Sequence, residues 1–274
     1  MNSYEAVFFA TAVLYALACL GFILAAALRN KRALSLAFIV ACAGLALHTL
    51  AIALRWIAVG YGPYIGFFDA VSSYAFLVVA VYVALVAWKR GLASLGLVVL
   101  PIAFILLAVA LTTSPTEMGI TPALASIWLV VHVIFAASAI TAMLISFVFA
   151  VVFLIRARKD DLDLFAHLPQ QQRLEMFMFQ AMSVGFILWT VMIIIGAIWA
   201  NEAWGRYWGW DPIETWSLIA WIVYAICLHL RLTRGWKGTR FAYLTVVALP
   251  IMLFALIGVP FVWDSIHAAY LAVE

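Results

Sequence analysis

The sequence predicts an all-α fold: a polytopic integral membrane helical bundle of about eight transmembrane helices with both termini outside. Three observations carry that prediction. Of 274 residues, 69% are hydrophobic and only 10% are charged, where a soluble domain carries roughly 25% charged residues. The charged residues gather in short clusters between apolar runs of roughly 20 residues, the length at which a helix crosses about 30 Å of hydrocarbon. The basic residues fall on alternate connections between those runs. Helices are the required solution, because lipid offers no partner to an unpaired backbone group. The net charge of +3 is too small to suggest nucleic acid; where the charges sit matters more.

Taken in order, the spans run from about Tyr4 to Leu28, Leu34 to Val59, Asp69 to Trp88, Ala93 to Thr112, Ala123 to Ile155, Phe177 to Trp199, Ile213 to Leu232 and Phe241 to Trp263. No soluble domain, low-complexity linker or short repeat interrupts them, so residues 1–274 read as one domain. The first span is not expected to be a cleaved signal peptide. No Lys or Arg precedes it, and its basic residues, Arg29, Lys31 and Arg32, follow it. Lys89 and Arg90, then Arg156, Arg158, Lys159 and Arg173, then Arg231, Arg234, Lys237 and Arg240 lie on the same side. Thirteen of the 15 basic residues are thus on one side, and only Arg55 and Arg206 lie toward the other. The positive-inside rule makes the crowded side cytoplasmic.

The longest inside connection, about Arg156 to Met176, mixes Asp160, Asp161 and Asp163 with Leu164, Phe165 and Leu168. It reads as a solvated connector, and its His167 carries no special reading. Cys19, Cys42 and Cys227 all fall inside spans and form no C-x-x-C pair. They read as small apolar side chains, which argues against thiol redox chemistry in this chain.

The outside loop between the sixth and seventh spans, at about 199–216, is the most informative stretch. Trp199, Trp204, Trp208, Trp210 and Trp216, with Tyr207, fall among 18 residues. An interfacial belt explains one or two tryptophans at a helix end. It does not explain a run this dense, interleaved with Gly205 and Gly209. A flat aromatic platform for a planar, hydrophobic ligand fits the composition better. Within the same stretch, Asp211-Pro212-Ile213-Glu214 reads as a helix start, with Asp211 as N-cap and Glu214 completing a capping box.

The histidines add to this. An imidazole inside a span is costly and marks function by default, and neutral imidazole is a common axial ligand to haem iron. His132 lies early in the fifth span, which enters from outside, and His267 follows the eighth span. Both are expected at the level of the tryptophan loop, which points to bis-histidine haem. His48 lies near mid-depth and His229 near the inner face, roughly 10–20 Å apart along the membrane normal at the usual helical rise. They are not expected to share one iron. His48 reads as a histidine hydrogen-bonded between helices. His229 is open to a second haem only if another subunit supplies the partner imidazole.

The run Trp204-Gly-Arg-Tyr-Trp-Gly-Trp-Asp-Pro-Ile-Glu-Thr-Trp216, followed by Ser217-Leu-Ile-Ala-Trp221 and Leu228-His229-Leu-Arg231, resembles the WWD haem-handling family. The resemblance is to its CcsA/ResC branch, the system II cytochrome c biogenesis proteins. The CcmC and CcmF branches diverge around Asp-Pro-x-Glu-Thr-Trp. Trp128-Leu-Val-Val-His132 resembles the family's first external haem-ligand segment and Ile266-His267-Ala-Ala-Tyr270 the second. Arg55-Trp56 with Gly60 and Pro63 also fits. Three positions depart: Ile213 stands where the family usually has Lys, Asp69 near a usual Glu, and Tyr61 where a His is frequent.

The resemblance implies haem b presented as Fe(II) at the outer face, with His132 and His267 as axial ligands. Trp204, Arg206, Tyr207, Trp208, Trp210, Asp211 and Trp216 would surround it, and His229 would hold a possible second haem. It implies a haem lyase component that works with a CcsB/ResB-type membrane subunit in membrane lipid. An apocytochrome c would bring a CxxCH segment, kept reduced by extracytoplasmic thiol reductants. The membrane implied is a bacterial plasma membrane or a thylakoid-type one. Two other classes remain open on the residues alone: a haem exporter or carrier without attachment activity, and a membrane b-type electron-transfer protein.

Overall fold

The computed structural model of the protein describes residues 3–113, 119–158 and 168–267. Expectations that involve Lys159, Asp160, Asp161, Asp163, Leu164, Phe165, His167 and Tyr270 lie outside these. The helices are α1 (Ser3–Ala27), α2 (Lys31–Val59), α3 (Phe67–Trp88), α4 (Gly96–Leu111), α5 (Ile127–Arg158), α6 (Gln171–Trp204), α7 (Pro212–Thr233), α8 (Thr239–Leu253) and α9 (Val259–Val262). A 3₁₀ segment, Arg90–Leu95, leads into α4, and a π-helical turn, Phe254–Gly258, joins α8 to α9. The described residues contain no strand. Among the described residues, eight stretches are long and apolar enough to cross a membrane, the fourth including the 3₁₀ segment and the eighth running through α9. The outer face carries Phe9, Leu20, Ile57, Ile187 and Val247, each more than half exposed. An apolar exterior of this kind belongs in lipid, and the chain is an integral membrane protein.

The bundle has two halves. α1 packs along α2 and against α4, and α3 packs along α4. α5 and α6 form a long hairpin that α7 and α8 flank, with α3 and α4 closing onto α5. Small residues let the α1–α2 pair approach closely: a Cβ on Gly21 would stand 2.9 Å from that of Ala37. α2 starts where Asn30 Oδ1 accepts from the N–H groups of Arg32 (2.8 Å) and Ala33 (3.2 Å), an ordinary side-chain cap.

The fifth and sixth spans differ from expectation. α5 begins at Ile127, because Ser126 Oγ accepts the N–H of Trp128 at 3.1 Å and so caps the helix there. α6 is longer at both ends, with 34 residues, roughly 50 Å at the usual helical rise. It runs through Asn201 and Glu202 and stops only where Gly205 takes φ 72° and returns its N–H to the Asn201 carbonyl. Six residues of the tryptophan stretch, 199–204, are therefore helical, and the irregular part is 205–211. The α7 start is as read: Asp211 accepts from the Ile213 N–H, and Glu214 closes the capping box.

Because successive spans alternate in direction, the clusters of basic residues gather at one end of the bundle. Arg158 Nη2 donates to the Tyr243 hydroxyl at 2.8 Å, and Arg231 pairs with Glu175 at 3.0 Å, both at that end. The tryptophan stretch, the connection after α2 and the described residues that follow α4 and α9 occupy the other end. There Pro260, which has no N–H to give, follows the π-turn that absorbs the missing bond.

Candidate functional site

α5 carries His132 against α6. Its Nδ1 lies 3.0 Å from the Met192 carbonyl oxygen. A carbonyl only accepts, so Nδ1 holds the proton and Nε2 keeps its lone pair. The space comes from the same turn of α6: a Cβ on Gly196 would stand 2.8 Å from Nδ1 and Cε1 of the ring.

His267 arrives from the far end of the chain and is also anchored through Nδ1. Its Nδ1 lies 3.0 Å from Asp211 Oδ1, and its backbone N–H reaches Ser265 Oγ at 3.1 Å. The Ser265 hydroxyl donates to Asp211 Oδ1 at 2.7 Å and the Ile266 N–H to Oδ2 at 2.8 Å. Asp211 thus caps α7 and anchors the segment after α9 with one carboxylate. Burial alone would raise its pKa. The bonds from His267 and Ser265, the proximity of His267 and the Ile266 N–H outweigh that and hold the carboxyl well below the usual range. His267 also presents Nε2, since its Nδ1 is the donor to a carboxylate.

Two tryptophans connect the imidazoles. The Trp199 ring is stacked near His132 at 6.3 Å and lies 5.9 Å from His267. Trp204 meets Trp199 at 4.9 Å and His267 at 4.8 Å, edge to face in both cases. Trp199 Nε1 donates to the Ala123 carbonyl at 2.9 Å, and Ser126 Oγ donates to Glu202 at 2.9 Å. These bonds tie the connection before α5 to the end of α6.

Both imidazoles line one pocket, with about 1130 Å³ of free space including its open mouth. The wall is mostly apolar: Ile65, Leu129, Ile193 and Leu256 among others. Tyr64 and Tyr74 contribute from the α2–α3 side and Tyr207 and Trp208 from the loop. Glu214 also lines it, while its Oε2 accepts from the N–H groups of Gly209 (2.8 Å) and Asp211 (3.1 Å).

Of the residues singled out in the sequence, His132, His267, Tyr207 and Trp208 meet at this pocket, with Asp211 and Trp204 directly behind His267. Arg206, Trp210 and Trp216 do not line it. Trp210 is 69% exposed at φ 57°, a left-handed conformation unusual for a bulky side chain. Arg206 is exposed and lies over Gly209. Trp216 packs on Phe254 at 4.7 Å and Trp263 at 6.0 Å, bracing the π-turn. Gly205 ends α6, and a Cβ there would meet nothing within 4 Å, so its backbone conformation is what calls for glycine.

His48 is wholly buried and doubly bonded, with Tyr15 Oη at 3.2 Å from Nδ1 and Ser72 Oγ at 3.0 Å from Nε2. It is the interhelical histidine the sequence suggested. His229 is exposed on the outward face of α7 near the basic end. It shares a stripe with Ile219, Ile222 and Ile226.

The fold and this site define a polytopic membrane protein with a mostly apolar pocket at one end of the bundle and two anchored imidazoles in its wall. The family model described as "Cytochrome C assembly protein" matches residues 68–267. A cytochrome c biogenesis protein CcsA of Guillardia theta is 31% identical over 245 residues, covering 80% of each chain. The CcsA of Chlamydomonas reinhardtii is 31% identical over 233 residues, 81% of this chain and 65% of that one. The CcsA of Synechococcus sp. CC9605 is 37% identical over 172 residues, 54% of this chain and 57% of that one. The chain belongs to the CcsA family of cytochrome c biogenesis proteins. Among solved structures, "Cytochrome c Heme Lyase CcmF" superimposes with a TM-score of 0.67 at 17% identity over 94% of this chain. This chain spans 50% of that protein's length, and the likeness is one of fold.

Proposed function

We propose that this chain presents haem b at the extracytoplasmic face of a bacterial plasma membrane or a thylakoid-type membrane, for covalent attachment to the CxxCH segment of an apocytochrome c. One observation carries the reading. Two imidazoles from distant parts of the chain, His132 and His267, are each held through Nδ1, and so both offer Nε2 within the same apolar pocket. Anchoring a ligating histidine through its other nitrogen is the usual support of a metal ligand. The donor set therefore fits haem iron, with the aromatic and aliphatic wall around the macrocycle. The orientation rests on the basic residues at the opposite end.

Haem brings two vinyl groups, each of which takes up one substrate thiol: a C–S bond forms at one vinyl carbon, the thiol proton goes to the other, and no outside oxidant is needed. The chain supplies no nucleophile to this addition. His132 and His267 fix the substrate's position. Tyr207, Trp208, Tyr64 and Tyr74 line the space beside them. The gain is proximity and orientation, for which several orders of magnitude are available in a well-aligned pair. A CcsB/ResB-type subunit completes the synthase, and thiol reductants on the same side keep the peptide cysteines reduced.

A b-type electron-transfer role is disfavoured, because His48 is used up by Tyr15 and Ser72, leaving no second histidine pair among the described residues. The test is co-expression with an apocytochrome c, with and without a CcsB-type subunit. Covalent haem on the apocytochrome is expected with the partner present, and none with His132→Gly or His267→Gly until imidazole is added. Haem bound without any covalent product would mark a carrier. Unchanged haem content in both histidine variants would overturn the site itself.

A further inference from the structure

We propose that Asp211 is a positioning residue for His267: its carboxylate fixes the ring through Nδ1 and makes Nε2 the stronger of the two donors facing the pocket. This rests on the reading of the pocket as a haem site. The two imidazoles are anchored unequally. His132 donates to a neutral carbonyl, that of Met192, at 3.0 Å. His267 donates to a carboxylate oxygen at 3.0 Å. A carboxylate partner pulls on the Nδ1 proton and leaves more electron density at Nε2 than a carbonyl does.

The carboxylate is also immobile. Oδ1 receives Ser265 Oγ at 2.7 Å and the Ile213 N–H at 3.0 Å, and Oδ2 receives the Ile266 N–H at 2.8 Å. Asp211 is 6% exposed, so little water competes for it. The same side chain belongs to the turn that carries Tyr207 and Trp208 to the pocket. The orientation of His267 is thereby set relative to that wall, and the segment after α9 does not have to find its place alone.

A stronger donor stabilises ferric over ferrous iron, so Asp211 lowers the midpoint potential of the bound haem. Asp211→Asn keeps the helix cap, because Asn caps as well as Asp, and its one oxygen can still accept from Nδ1 while carrying no charge; its NH2 replaces the acceptor opposite the Ile266 N–H, so a preserved bis-histidine spectrum is the check that the anchor has held. The experiment uses the full chain, purified with its haem, and reads the optical spectrum and the midpoint potential. Asp211→Asn is expected to keep a bis-histidine spectrum and raise the potential. In the His267→Gly background with 1-methylimidazole supplied, the same substitution is expected to leave the potential unchanged, since the added ligand has no N–H to give to Asp211. An unchanged potential in the first comparison overturns the proposal. So does an equal rise in both, which would make Asp211 a general charge. Haem retained in full by His267→Gly without imidazole overturns the underlying site as well, and that outcome is read separately, before any potential is measured.

Discussion

The His132 ring lies against Gly196 so closely that a Cβ on Gly196 would stand 2.8 Å from its Nδ1. The ring's hydrogen-bond acceptor, the Met192 carbonyl, sits one turn earlier on the same helix. Room and anchor therefore come from a single turn of α6. Gly196→Ala is expected to push the imidazole off Met192 and out of line with the pocket. A misplacement of this size costs up to about 10²-fold in a positioned reaction, and haem content should fall with it. Because Ala is a better helix former than Gly, α6 itself should persist. Pull-down yield, haem absorbance and holocytochrome c formation check this, and wild-type maturation would refute the packing argument.

The helical spans, their alternation and the α7 capping box were legible in the sequence, because each depends on a local run of residues: apolar length, flanking charge, and Asp211-Pro212-x-Glu214. His132 and His267 were singled out in the sequence as imidazoles expected at one level, and the structure brings both to one pocket. What surrounds them was not legible. The Met192 carbonyl has no side-chain signal, and Tyr64 and Tyr74 reach the pocket only because the two halves of the bundle pack together. The tryptophan run read as one flat platform, but helix geometry divides it. α6 continues to Trp204, so Trp199 and Trp204 project from a helix, while Trp216 turns toward Phe254. Asp211 was legible as a cap; its grip on a histidine 56 positions later needed the tertiary fold.

Arg55 and Asp69 form a two-pronged ion pair, 2.6 and 2.8 Å, and each residue is only 3% exposed. The Arg55 guanidinium also lies 5.3 Å from the Phe68 ring. Removing one partner of such a pair leaves a bare buried charge, at a cost of about 3–5 kcal/mol. Asp69→Asn or Arg55→Ala should therefore lower the thermal unfolding midpoint of the detergent-solubilised chain sharply. The double variant Arg55→Met with Asp69→Leu should recover much of the loss. A double variant no better than the singles would mean that the charges have a role beyond this pairing.

His48 joins three helices through Tyr15 on α1 and Ser72 on α3. His48→Ala leaves both hydroxyls without their partner and a void beside Phe8 and Phe76, whose rings pack edge-on against the imidazole. The hydrogen-bond part of that loss is about 1–3 kcal/mol. Stability should drop while the haem spectrum keeps its shape and intensity per folded molecule. A changed spectrum would reassign His48 as an iron ligand.

Sidedness follows from charge. Reporter fusions at Arg90 and Gly235, at the basic end, should read as cytoplasmic, and a fusion at Glu274 as outside. An inside reading at Glu274 would invert the pocket's orientation and with it the compartment in which the apocytochrome meets haem.

His229 raises a different question, because it is an imidazole on the outward face of α7 in a stripe of isoleucines. Lipid alone is a poor neighbour for it. Two accounts compete: a ligand to a second haem whose other imidazole belongs to a CcsB-type subunit, and a packing contact with that or another helix. They differ in where a substitution is felt. As a ligand, His229→Ala should lower the haem content of the complex and leave the isolated chain unaffected, since alone it lacks the second imidazole. As a packing residue it should cost on the order of 1 kcal/mol through a lost interhelical hydrogen bond and leave haem content per complex unchanged. Haem and protein quantified together, in the isolated chain and in the complex, separate these outcomes. The ligand account is dropped if the mutant complex holds its full complement of haem and matures cytochrome c normally.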